Sequence, residues 1–71
     1  MFNRNAFRAK VIAEGMTLAE LASKIGISSA TLSRKMRGES DFTRREIQSI
    51  RVILQMTTDE ADAIFFAKEL T

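Results

Sequence analysis

The chain has no cysteine, no histidine and no proline, and only three glycines in 71 residues. Without cysteine there is no disulfide staple and no thiolate nucleophile. Without histidine as well, every Cys/His zinc site is excluded, and so is the usual general base near neutral pH. What remains for catalysis is Asp, Glu, Lys and Ser on a scaffold too small for a deep pocket. The expectation is a binding module rather than an enzyme, with no cofactor and no metal. Gly15, Gly26 and Gly38 are too few to punctuate a many-stranded sheet, but they suffice to end three helices. No apolar run approaches the ~18 residues that would span a membrane. The opening segment, MFNRNAFRAK, lacks the apolar stretch and cleavage site of a signal peptide. A cysteine-free chain agrees with a reducing compartment, so a cytoplasmic location is expected.

Residues 1–71 are expected to form one domain, whose small core buries only ~60% of the unfolded surface. Apolar residues make up 45% and charged residues 28%, ordinary globular usage. The net charge of +2 hides an asymmetry. Residues 1–51 hold ten Lys/Arg against five Asp/Glu, a charge of +5. Residues 52–71 hold Lys68 against Asp59, Glu60, Asp62 and Glu69, a charge of −3. A basic body with an acidic C-terminal segment fits a polyanion partner on one face, or simply solvated charge.

Three capping boxes stand out: Thr17 with Glu20, Thr43 with Glu46, and Thr57 with Glu60. In each, the Thr hydroxyl and the Glu carboxylate three residues on satisfy one another's backbone N–H. Each opens an apolar-periodic segment, so three helix starts are predicted. A first helix is predicted over about Asn3–Glu14, with Phe7 and Val11 inward, Ile12 widening the stripe and Gly15 ending it. The second runs from Thr17 with Leu18, Leu21, Ala22 and Ile25 on one face, and stops at Gly26. Ser28 is the candidate cap of a third, with Leu32 and Met36 inward and Gly38 at its end. The fourth opens at Thr43 and buries Ile47, Ile50 and either Ile53 or Leu54. The fifth opens at Thr57 and buries Ala61, Ile64, Phe65 and the stem of Lys68. Connections this short force close packing. The reading is all-α, five helices, one domain.

The second and third helices with the turn at Gly26 and Ile27 have helix-turn-helix spacing, over residues 17–37. Ala22 is small where the two helices cross. Gly26 supplies the positive φ of a sharp turn. Ile27 plugs the corner, and Leu32 seats the third helix against the body with its other face free. A major groove is wide enough to admit such a helix.

The stretch from Met16 to Gly38, MTLAELASKIGISSATLSRKMRG, resembles the helix-turn-helix of phage Cro and CI-type repressors and their bacterial relatives. The run GISSATLSR carries most of the likeness. The segments SDFTRREI, from Ser40, and IFFA, from Ile64, resemble short regulators of phages of Gram-positive bacteria. The resemblance implies a five-helix lambda-repressor-like DNA-binding domain, double-stranded operator DNA as partner, and repression by promoter occlusion at a lysis–lysogeny switch. Carried over by position, it makes Ser29, Ala30 and Arg34 the base readers, with Ser28 beside the DNA backbone. Thr17 begins the helix whose N-terminal amides meet a phosphate. Thr31 and Ser33 offer hydroxyls to phosphate or base, and Arg37 lies where the family touches the backbone again. Arg34 alone carries a fork that pairs bidentately with guanine, and Ala30 suits a thymine methyl.

Two departures from the family stand out. Leu18 occupies a position that is often Gln, and Ser29 and Ala30 are short. Arg34 is then left with much of the base readout, and DNA shape with the rest. The alternative is an antirepressor, in which the same fold docks on a phage repressor and blocks its DNA binding. Arg34, Lys35 and Arg37 form a basic cluster from which two side chains are expected at phosphate. Arg44 and Arg45 oppose the dipole of the fourth helix, which is either a cheap imperfection or a sign of a nearby phosphate. Phe65 and Phe66 lie about 100° apart and do not fit one narrow core face. The second ring is either partly covered by the N-terminal segment or part of a homodimer contact through the C-terminal helices.

Overall fold

The computed structural model describes residues 2–66. Among them are five helices and no strand: α1 (Arg4–Ala13), α2 (Leu18–Ile25), α3 (Ser29–Met36), α4 (Arg44–Ile53) and α5 (Thr58–Phe65). The three capping boxes form as the sequence implies. The Glu20, Glu46 and Glu60 amides donate to the Thr17, Thr43 and Thr57 hydroxyls at 3.1 Å, and each carboxylate accepts from its Thr amide. Asn3 caps α1, its side chain accepting from the Ala6 amide at 3.1 Å. Ser28 caps α3 in the same way through the Thr31 amide.

Helix ends follow the glycines where there are glycines. Gly15, Gly26 and Gly38 sit at φ of +73°, +92° and +81°. The end of α4 has none, and Gln55 takes the left-handed conformation at φ +53°. The backbone bond from the Met56 amide to the Arg51 carbonyl, 2.9 Å, closes the turn around it. A residue with a Cβ is strained there, by ~1 kcal/mol or more. Gln55→Gly is therefore expected to stabilise the domain by ~0.5–1 kcal/mol, a rise of a few degrees in Tm. A lower Tm would mean that the Gln55 bond to Glu14, 3.1 Å, outweighs the strain.

The core is built from one stripe of each helix. Phe7, Val11, Leu21, Ala22, Leu32, Ile50 and Leu54 are essentially fully buried, and Met36, Met56, Ala61, Ile64 and Phe65 nearly so. Both candidates at the end of α4 contribute: Leu54 is buried, and Ile53 packs against the core from its edge. Ile27 likewise packs against the core from the corner of the turn.

Ile12 corrects the reading of α1. It is 71% exposed and does not widen the core stripe. It lies about 100° round the helix from Val11, and α1 packs on α2 and α5 through a strip only as wide as Phe7 and Val11. Phe65 is core, whereas Phe66 is 59% exposed, at the edge of a cleft that it shares with Phe2 of the N-terminal segment. The predicted burial of the Lys68 stem falls outside the described residues.

Four phenylalanines close the domain. Phe2, Phe7, Phe42 and Phe65 come from four separate parts of the chain, and all six centroid distances lie between 5.1 and 6.1 Å. Tilted and edge-on pairs at this spacing add ~0.5–1.5 kcal/mol each beyond area burial. The Asn3 amide donates to the Ile64 carbonyl at 2.7 Å, tying the start of α1 to the end of α5. Lys10 adds an ion pair with Glu60 at 3.2 Å across the same two helices.

Candidate nucleic-acid interface

The turn between α2 and α3 presents α3. The Gly26 and Ile27 amides both donate to the Ala22 carbonyl, at 2.9 and 3.0 Å, which fixes the chain's exit from α2. Ala22 is 1% exposed at the crossing of α2 and α3, where a larger side chain would hold the helices apart. Leu32 and Met36 anchor α3 from beneath.

With those two facing down, helical geometry turns Ala30 and Arg34 up and Ser33 and Arg37 to one flank. Ser28, Ser29, Ala30, Ser33, Arg34 and Arg37 are all exposed, and Thr31 is half-buried. The Thr31 hydroxyl accepts from Ser28 Oγ at 2.9 Å and weakly from Arg34 Nη2 at 3.4 Å. Its own proton remains free to donate, and the Arg34 fork is only lightly tethered. The seven predicted side chains of the third helix and its cap are thus all open to solvent, Thr31 the least so.

Thr17, the eighth, is exposed at the start of α2. Its capping box satisfies the Thr17 and Glu20 amides and leaves those of Leu18 and Ala19 for water or an anion. Leu18 itself is half-buried against the core rather than extended outward.

The basic cluster of α3 does not survive intact. Lys35 is buried, 8% exposed, because it points to the flank opposite Arg37. Its ammonium donates to the Asp41 carbonyl at 2.8 Å and pairs with Glu46 at 3.0 Å. It therefore clamps α3 to the start of α4 and is not a phosphate contact. Burial works against the Glu46 charge, but the Thr43 amide, the Lys35 ammonium and the Thr43 hydroxyl together outweigh it. They hold the carboxyl below its ordinary value.

A carboxyl depressed in the folded state binds fewer protons there than in the unfolded chain. Its contribution is present above the ordinary glutamate value of about 4.3 and is lost as pH falls through the lower, folded value. Thermal melts across the acid range are expected to show a shallower loss for E46Q than for the wild type. Coincident acid limbs would remove Glu46 from this role.

Arg37 is exposed but not free. Its Nε donates to Glu39 at 2.6 Å, and that hydrogen bond, with the charge behind it, lowers the Glu39 pKa and raises that of Arg37. A phosphate at Arg37 competes with this carboxylate for the guanidinium.

Two cations missed in the sequence lie beside this surface. Arg4 and Arg8 of α1 line an open cleft together with Leu18, Ser33 and Arg37. The available signal was an Arg at the first position of a helix whose first turn carries no acid. Among the described residues no helix is long and apolar enough to cross a membrane.

A helix-turn-helix family matches residues 7–60, about three-quarters of the chain. No curated protein and no solved structure matches it. The matched span runs from the first core residue of α1 through the turn at Gly26 to the capping box of α5, and the five-helix arrangement is the all-α lambda-repressor-like fold. The chain belongs to the helix-turn-helix family of DNA-binding transcription regulators.

Proposed function

We propose that this chain is a Cro-like phage regulator. It acts as a single domain, residues 1–71, in the cytoplasm of a bacterial host. It seats α3 in the major groove of operator DNA and represses by keeping polymerase off the promoter. The observation that carries this reading is the outward face of α3. Ser29, Ala30, Ser33 and Arg34 stand exposed on a helix locked from below by Leu32 and Met36. Arg34 reads a guanine edge, Ala30 meets a thymine methyl, and Ser28, Thr31, Ser33 and Arg37 contact the backbone. The free amides after Thr17 add a phosphate contact. Two copies bind a palindrome with their α3 helices about 34 Å apart, joined through the C-terminal helices, where Phe66 is exposed.

The test is a gel shift at low salt with the DNA flanking the protein's own gene. A specific, salt-sensitive shift is expected. No shift with any operator-like duplex would overturn the reading.

One observation favours a second reading. Glu20 and Glu39 put carboxylates at two of the positions assigned to phosphate contact. A surface of this kind also suits docking on a CI-type repressor and blocking its DNA binding. Copurification with the repressor encoded next to its gene, without any DNA shift by the isolated chain, would select this reading.

A further inference from the structure

We propose that the flank of α1 forms a second phosphate seat, in which Arg4 and Arg8 grip the backbone of the duplex that α3 enters. The inference rests on the DNA-binding reading and extends it to a helix outside the helix-turn-helix. Arg4 and Arg8 are one turn apart and share a side of α1. With Phe7 and Val11 in the core, that side is the one away from Lys10 and Glu14. It faces α3 across the cleft shared with Leu18, Ser33 and Arg37, whose volume is about 220 Å³. Three guanidinium groups line this cleft and no carboxylate does.

Lys10 and Lys35 are held by glutamates, and Arg37 is held by Glu39. Arg4 and Arg8, like Lys24, Arg34, Arg44, Arg45 and Arg51, make no ion pair among the described residues, so neither gives up a carboxylate to meet a phosphate. The first turn of α1 also holds an arginine and no acid, against what the helix dipole favours. That arrangement is adverse in the free protein and favourable beside an anion.

Ser33 brings a hydroxyl-bearing side chain to the same cleft, so a phosphodiester there would meet charge and a neutral donor together. The cleft is continuous with α3 through Ser33 and Arg37. Its occupant is therefore the backbone of the strand bordering the groove that α3 reads.

The experiment compares the wild type with R4Q/R8Q on the DNA flanking the gene and on a scrambled duplex of equal length. Binding is measured between about 50 and 200 mM salt. Each phosphate contact contributes about 0.9 to the slope of log affinity against log salt. The double variant is expected to give a slope shallower by about 2, with its preference for the native over the scrambled duplex unchanged. R4K/R8K, which keeps the charges, is expected to retain the wild-type slope. Because both side chains are exposed and Arg4 opposes the helix dipole, the double variant should melt no lower than the wild type. A wild type that binds, beside an R4Q/R8Q protein with the same slope, would overturn this inference and leave the DNA-binding reading standing. A wild type that binds no duplex would overturn both.

Discussion

Arg34→Ala is expected to weaken operator binding by ~1–3 kcal/mol, roughly five- to 150-fold, and to relax base preference at one position only. The crest of α3 carries no other side chain with paired donors. Ser29 and Ala30 are too short to engage two atoms of a base edge, and Lys35 is turned away into its pair with Glu46. The guanidinium is held only by a 3.4 Å bond to Thr31, so it reaches a base without giving up a strong internal partner.

Arg37→Ala should behave differently. It removes a backbone contact and weakens every sequence alike, and its effect is moderated because Glu39 already competes for the side chain. Titration of both variants against the operator and its single-base changes distinguishes the two roles. A uniform loss for Arg34→Ala would make it a phosphate contact and leave sequence readout to DNA shape.

Phe7→Ala is expected to cost ~3–5 kcal/mol of folding stability. Phe7 is fully buried and touches the other three rings of the closing cluster, with centroids 5.2 to 6.1 Å away. Truncation removes those pair interactions and leaves a cavity that three rings from different segments cannot collapse to fill. Domains hold only ~5–15 kcal/mol in all, and one of this size lies towards the low end. The variant should be largely unfolded well below the wild-type midpoint. Urea unfolding followed by far-ultraviolet circular dichroism measures it. A loss under about 1.5 kcal/mol would mean the ring is not in a tightly packed site.

What could be read from the sequence was what is encoded within four or five residues. Thr17, Thr43 and Thr57 cap their helices because a capping box is complete in four residues and needs no partner elsewhere. The exposed face of α3 followed from the spacing of Leu32 and Met36. Readings failed where a residue's fate depends on elements distant in the chain. Ile12 looked like core because it is apolar beside Val11, but its side of the helix is open to solvent. Lys35 looked like part of a basic cluster, but its partners are supplied by the loop at Asp41 and by α4. Phe2 and Phe42 lie in segments with no period and meet only when the fold is complete. Gln55 stands where a glycine would announce a left-handed turn. Arg4 and Arg8 reach the cleft beside α3 only through the packing of α1 on α2.

The ring cluster and the turn at Gly26 hold the domain in opposite ways. The rings join parts of the chain as remote as Phe2 and Phe65, and the entropy of closing so long a loop grows only logarithmically with its length. Residues added beside Ser40, in the exposed connection between α3 and α4, would change that entropy little. An addition between Gly26 and Ser28 would instead rotate α3 against α2 and re-aim every base contact at once. Length variation is therefore cheap beside Ser40 and intolerable in the three residues that aim the reader.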